Sequence, residues 1–264
     1  MSARRLLLLG LGVAVLLYVA YGMLMAQAHR ALLYPFRDQA PLVLDGFVPV
    51  VVGEATAYVH RTGAETEAGA PVVLYFMGNL GTLAAFAPML VHHAEAGRSV
   101  VAMGYRGGGS LPGEPSETAL KTDALAVADA LDRLVPGHGP VVVQGYSLGT
   151  GLAVHVAAER AVDGLILAAP YARICELMAA QSGLPACLIP GIDRWRSLRD
   201  APRVTEPALV LHGRLDHLIP FDHGERMARA LPRGRLVPVE QGGHDDLMDH
   251  APYLVKIDTF LDGL

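Results

Sequence analysis

The segment VVVQGYSLGTG, residues 141–151, sets Ser147 between two glycines at the end of an apolar run. A serine hydroxyl attacks a carbonyl only when a neighbouring base takes its proton and an acid holds that base in place. Gly145-Tyr146-Ser147-Leu148-Gly149 fits G-x-S-x-G, the turn that lifts a nucleophilic serine above the end of a strand and straight into a helix. The glycines lack Cβ, so strand and helix can come close on either side of it. The chemistry is acyl transfer to Ser147, and it requires three further parts: a base, an acid and two N–H donors for the oxyanion.

The acid follows the run LVLHG. Asp216 stands in the loop after Gly213, where a carboxylate can accept the Nδ1–H of a histidine. The base follows the next apolar run, with His244 on a Gly-Gly loop. Ser147, Asp216 and His244 come in the chain order that a strand–turn–helix nucleophile of this kind requires. Alone, Ser147 reads equally as a helix cap, Asp216 as a turn residue and His244 as one of eleven histidines. Three placements in matched contexts favour the catalytic reading. For the oxyanion, the N–H of Leu148 is the first donor and that of Asn79, in MGNLGT, the second, with Leu80 as its neighbour in the same glycine-rich turn.

Other polar clusters carry blander readings. YRGGGS (residues 105–110) lacks the lysine and spacing of a phosphate loop and is expected to be a mobile loop at the site rim. HDDLMDH offers His244, Asp245, Asp246, Asp249 and His250, all metal-ligand types. Asp245 and Asp246 suit better the first turn of a final helix, facing its dipole. No metal and no cofactor are expected. His212 reads as structural, and His217 and His223 as surface loop residues.

The elements that must position these residues follow from periodicity. Residues 47–53 and 55–61 are β-rich and suit an antiparallel pair, and residues 62–71 a polar turn. Continuous apolar runs recur at 72–78, 99–105, 140–146, 164–170, 208–213 and 235–243, as a parallel sheet buried on both faces requires. Residues 116–134 have helical spacing with Ser116 as cap, and residues 244–264 read as the last helix. The fold class is α/β, a mostly parallel twisted sheet with helices on both faces. Residues 171–205 interrupt the alternation with prolines, the single tryptophan and both cysteines. They read as a short lid insertion whose residues 184–195 shape the pocket. Cys175 and Cys187 suit either a disulfide or two separate thiols.

At the N-terminus, Arg4 and Arg5 precede an uncharged run from Leu6 to Ala26. About twenty apolar residues cross a bilayer core. The run exceeds the apolar core of a signal peptide, although Ala26-Gln27-Ala28 resembles a cleavage site, and it is too apolar for a twin-arginine signal. Residues 1–29 are expected to form a transmembrane anchor and residues 30–264 the catalytic domain. Arg4 and Arg5 before the span, against Arg30 and Arg37 after it, place the N-terminus in the cytoplasm and the domain outside. A net charge of −5 without a basic run excludes nucleic acid as partner. A composition 52% hydrophobic excludes a disordered chain.

Taken together, LLYPF, FMGNLGT, YRGGGSLPGEPSE, GYSLGTGLAVHVAA, LVLHGRLDHLIP and GGHDDL resemble the α/β-hydrolase superfamily. Within it the chain is most similar to small membrane-anchored serine hydrolases related to acyl-protein thioesterases (depalmitoylases) and to the serine-aminopeptidase-like group. The resemblance implies Ser147 as nucleophile, Asp216 as acid, His244 as base and Asn79 with Leu148 for the oxyanion. It also implies an ester or thioester substrate carried by a lipid or an acylated protein. A peptidase and a non-catalytic binding protein are the alternatives. Met77 stands where relatives usually carry histidine, and Gly104 where they often carry an acid.

Overall fold

The computed structural model describes residues 2–36, 40–62 and 69–264. Positions 63–68 of the expected polar turn, and Arg37 of the charge comparison, lie outside the described residues. In chain order the elements are α1 (Ala3–Leu33), β1 (Val48–Val52), β2 (Ala55–His60), β3 (Val72–Phe76), α2 (Ala87–Glu95), β4 (Ser99–Gly104) and α3 (Glu117–Asp129). Then come α4 (Leu131–Leu134), β5 (Val141–Tyr146), α5 (Gly149–Glu159), β6 (Gly164–Ala168), α6 (Ile174–Ser182) and α7 (Ser197–Asp200). The chain ends with β7 (Ala208–Gly213), α8 (Phe221–Ala230), β8 (Gly234–Val239) and α9 (Ala251–Leu261).

One eight-stranded sheet runs in the order β1-β2-β4-β3-β5-β6-β7-β8. β1 and β2 pair antiparallel, as expected of these two β-rich runs, and β2 pairs antiparallel with β4. All later pairings are parallel. Every residue of β3, β4, β6 and β7 is buried, which is why these strands read as unbroken apolar runs. Gln144 and Gly145 are consecutive in β5 and so face opposite sides of the sheet. Gln144 meets His93 of α2, whose neighbour His92 bonds Asp258 of α9. A Cβ on Gly145 would lie 2.5 Å from the Gly149 carbonyl of α5. Thus α2 and α9 cover one face and α5 the other.

The strand order reverses between β3 and β5, because the chain leaves β3 for β4 on one side and crosses back for β5 on the other. Such a switch point leaves a crevice beyond the carboxyl ends of the two strands. The turns after β3 and β5 carry Asn79 and Ser147 into it.

Ser116 caps α3 by accepting the Ala119 N–H at 3.1 Å. The expected last helix is shorter than residues 244–264: α9 begins only at Ala251, two residues after a single turn of tighter helix at Leu247–Asp249. Asp245 and Asp246 therefore do not face a helix dipole. The glycine loop 105–110 is no loose rim either. A Cβ on Gly108 would lie 2.3 Å from the Gly81 carbonyl, so its glycines serve close packing against the turn after β3. Arg106 within it is clamped on the buried carboxylate of Asp123 through two bonds of 2.8 and 2.5 Å.

In the insertion, α6 runs toward a tip at residues 183–188, and a disulfide joins Cys175 to Cys187, closing one of the two alternatives. Trp195 is fully buried and donates its indole N–H to Tyr34 Oη at 2.9 Å. Tyr34 in turn donates to Asp193 at 2.8 Å. Asp193 also accepts the Glu117 N–H, and Arg30 lies 3.5 Å from it. This carboxylate ties the end of α1 to the insertion and to the start of α3.

α1 is long and apolar enough to cross a membrane, by length and composition. Residues 3–17 are exposed on every side. From Tyr18 onward one stripe, Tyr18, Tyr21, Gly22, Met25, Ala28, His29 and Leu33, turns inward at helical spacing. Met25 and His29 are buried.

Candidate active site

The strand-to-helix turn after β5 holds Ser147 at φ 49°, in the left-handed region. A non-glycine residue there costs roughly 1–2 kcal/mol, and the cost is sustained only where the surroundings over-determine the backbone. The surroundings do so here. The Ser147 N–H is held by the Ala168 carbonyl of β6 at 2.9 Å, and Thr150 Oγ1 donates to the Ser147 carbonyl at 2.6 Å. A Cβ on Gly149 would lie 2.2 Å from the Phe76 carbonyl, so only glycine lets α5 start so close to β3.

Ser147 Oγ lies 3.0 Å from His244 Nε2, and His244 Nδ1 lies 2.8 Å from Asp216 Oδ2. A carboxylate can only accept, so Nδ1 carries the proton and Nε2 is left to accept from the serine hydroxyl. All three residues expected from the sequence meet, from loops after β5, β7 and β8. Asp216 is buried, with its other oxygen, Oδ1, accepting the N–H groups of Leu218 at 2.9 Å and Ile219 at 2.7 Å. Burial, the largest single influence, pushes its pKa up. The bonds from His212, His244 and the Ile219 N–H together outweigh it and hold the carboxyl well below the usual carboxylate range.

Leu148 and Asn79 line the same cavity as Ser147. Leu148 caps the start of α5, where the first amides of a helix have no intrahelical acceptor and point outward as N–H donors. Asn79 follows Gly78, whose added Cβ would stand 3.5 Å from Ser147 Cβ. The two residues expected to supply the oxyanion N–H groups thus belong to turns that flank the serine.

Three residues position the triad in ways that the sequence did not show. Tyr146, the variable residue of G-x-S-x-G, donates its hydroxyl to the His244 carbonyl. Asp246 accepts the Gly243 N–H at 2.6 Å and closes the loop that carries His244, which is its role in place of dipole stabilisation. His212 is buried as expected of a structural residue; its Nε2 donates to the Ile219 carbonyl at 2.8 Å and stands 3.4 Å from Asp216 Oδ2. His217 is exposed, as expected. His223 is not a surface loop residue: it is buried in α8 and its Nδ1 accepts the Ala172 N–H at 3.0 Å, fixing the start of the insertion. Among the described residues no group of three His, Cys, Asp or Glu side chains is arranged to hold a metal ion.

The cavity beside Ser147 has a volume of about 350 Å³, within the range of ligand pockets. Apolar side chains of α1, α6 and the loop after β7 make most of its wall, and the described lining holds no charged side chain.

A family model described as TAP-like protein matches residues 186–262, the part of the chain with Asp216 and His244. A Mycobacterium tuberculosis protein, the uncharacterized Rv2307c, is 32% identical across 94% of this chain and 93% of its own length. The lysophosphatidylserine lipase ABHD12 of Danio rerio is 29% identical over 60% of this chain, and the match spans 46% of that protein. Among solved structures, alpha/beta hydrolase domain-containing protein 10 from mouse superimposes with a TM-score of 0.62 at 21% identity, covering 82% of this chain and 98% of that one. With the switch-point crevice, the strand-to-helix serine turn and full-length similarity to a relative, the chain belongs to the α/β-hydrolase superfamily.

Proposed function

We propose that the protein is a membrane-anchored serine hydrolase that cleaves carboxylic esters or thioesters through Ser147, His244 and Asp216. The observation that carries this reading is the unbroken hydrogen-bond chain from Ser147 Oγ through His244 to Asp216, at 3.0 and 2.8 Å. His244 Nε2 takes the hydroxyl proton as Oγ attacks the acyl carbon. The carbonyl oxygen becomes an oxyanion, stabilised by the N–H groups of Leu148 and Asn79. The intermediate collapses, the bond from acyl carbon to the leaving oxygen or sulfur breaks, and the imidazolium gives that atom its proton. Water then loses a proton to His244 and attacks the acyl-enzyme. Its collapse frees the carboxylic acid and returns the proton to Ser147 Oγ. Asp216 stays ionised throughout and holds the Nδ1–H tautomer.

The uncharged lining favours an acyl ester or thioester over a peptide with a free amino terminus, whose ammonium would find no partner in the cavity. A lipid or an acylated protein supplies such a group. The lipase among the relatives supports the same class. α1 would hold the enzyme in the bilayer as a single span, with the N-terminus cytoplasmic and the domain outside, and residues 30–264 as the catalytic domain. α1 runs without a break past the small-residue site at 26–28 and ties to the domain on both sides of it, through Tyr21 and Tyr34, which supports a retained anchor. A fluorophosphonate probe tests the reading. Labelling of the wild type that vanishes in Ser147→Ala and His244→Ala is the expected result. An unlabelled, well-folded wild type would overturn it and turn the search to a binding partner.

A further inference from the structure

We propose that α1 is itself a wall of the acyl site, and that this site takes one long acyl chain, drawn sideways from the bilayer between α1 and α6. This deepens the serine-hydrolase reading and rests on it. The helix serves two environments in succession. Its first half is exposed throughout and, past Arg4 and Arg5, carries no charge. Its second half lies along the cavity that contains Ser147, and Met25 and Leu33 line it together with Leu177 and Met178 of α6.

Contacts at its two ends fix the direction of this groove. Near the reacting end, Phe36, just past α1, fills the space over Gly81 beside the oxyanion turn, where an added Cβ would meet its ring at 2.4 Å. At the other end Tyr21 Oη bonds Ser182 Oγ at 2.8 Å and Tyr18 donates to the Pro185 carbonyl at 3.2 Å, both at the tip of the insertion. From Leu33 to Tyr21 is twelve residues, about 18 Å of helix at 1.5 Å per residue. The groove therefore leads from the serine, along α1, to the level at which α1 becomes bare.

The tip is itself apolar and exposed there, with Leu188 72% and Leu184 36% accessible. The Tyr18 and Tyr21 rings lie at the same level, as suits a membrane–water boundary. A lipid tail that enters between α1 and α6 beside the Tyr21–Ser182 bond passes from one apolar medium into another without crossing water. The volume of about 350 Å³ is toward the low end for ligand sites and suits a single chain. Met25 and Met178, flexible and unbranched, let the walls adapt to its kinks. The wall is a fixed part of the site, because Asp193 accepts from Tyr34 at 2.8 Å and from the Glu117 N–H at 3.0 Å, joining α1 to the domain.

The test uses the full chain in phosphatidylcholine vesicles. A fluorophosphonate with a long alkyl chain and a terminal diazirine is allowed to react and is then photolysed, and the crosslinked peptides are mapped. The expected result is attachment at Ser147 with crosslinks to Tyr21 or Met25. In parallel, Met25→Trp should lower the ratio of kcat/KM for p-nitrophenyl palmitate to that for p-nitrophenyl butyrate by tenfold or more. Leu8→Trp, on the bare half, should leave the ratio within twofold. Attachment at Ser147 with crosslinks confined to other elements, or an unchanged ratio in a Met25→Trp protein that still labels, would overturn the proposal while leaving the hydrolase intact. Failure of the probe to attach to wild-type Ser147 would indict the hydrolase reading instead. If Met25→Trp does not fold, the crosslink map of the wild type decides alone.

Discussion

Replacing Asp216 by Asn isolates the most exact demand that the site makes on one atom. Asp216 Oδ1 accepts two backbone N–H groups, from Leu218 and Ile219. An asparagine must keep its carbonyl oxygen there, because turning the amide round would set its NH2 against two donors at 2.9 and 2.7 Å. Its NH2 is then forced to the Oδ2 position, 2.8 Å from His244 Nδ1. Two donors cannot face each other, so His244 moves its proton to Nε2 and offers the lone pair at Nδ1. In that tautomer Nε2 cannot accept the Ser147 proton. Geometry is kept and the base is lost. Where such a swap leaves the constellation intact in serine proteases, kcat falls about ten-thousandfold, equivalent to roughly 5 kcal/mol of transition-state stabilisation. We expect a loss of that order for p-nitrophenyl butyrate hydrolysis, with KM little changed and the far-ultraviolet circular dichroism unaltered. Fluorophosphonate labelling should slow in proportion. Retention of more than about a tenth of the wild-type kcat would refute the argument that Asp216 sets the tautomer.

Further outcomes follow from other parts of the structure. Ser147→Gly and Ser147→Ala should both lack hydrolysis, yet the glycine protein should be the more stable by about 1 kcal/mol, since it relieves the left-handed backbone at φ 49° and gives part back as unfolded-chain entropy. Equal melting temperatures would show that the turn holds no strain. Burial, opposed in part by its bond to Gln144, lowers the His93 pKa to about 3. Because the folded value lies below the unfolded 6.5, this contribution is complete above pH 6.5 and is lost as the pH falls toward 3. Between neutrality and pH 5 it amounts to roughly 2 kcal/mol, at about 1.4 kcal/mol per unit. His93→Gln should flatten the urea-measured stability over that interval, and an unchanged slope would exclude His93 as its source. Reducing Cys175–Cys187, which closes a short loop worth up to about 3 kcal/mol, should expose the tip at 183–188 to proteolysis. Short-ester turnover should persist, and its disappearance would show that the insertion is needed to hold the serine turn.

Much of this molecule is set by local order along the chain. Buried parallel strands must be apolar on both faces, so β3, β4, β6 and β7 were visible as unbroken runs. A serine turn needs small neighbours on either side, so Gly145 and Gly149 marked Ser147, and the turns after later strands marked Asp216 and His244. What surrounds these residues was hidden because it depends on distant partners. Asp246 looked like the start of a helix, since sequence shows its charge but not the Gly243 N–H that it closes on. His223 looked like a loop residue, since nothing near it announces the Ala172 amide that it receives in the interior. Tyr146 occupies a position that the motif leaves free, and its hydroxyl partner lies 98 residues away. α1 gives the sharpest contrast. Its run from Leu6 to Ala26 carries no charge on any side and so has no stripe to read, and composition determined only that it suits a membrane. Only the folded chain, by setting α6 and Asp193 beside it, decided that Tyr21, Met25 and Leu33 line the cavity of Ser147, because a burial stripe on a helix without a polar face is defined by its partner.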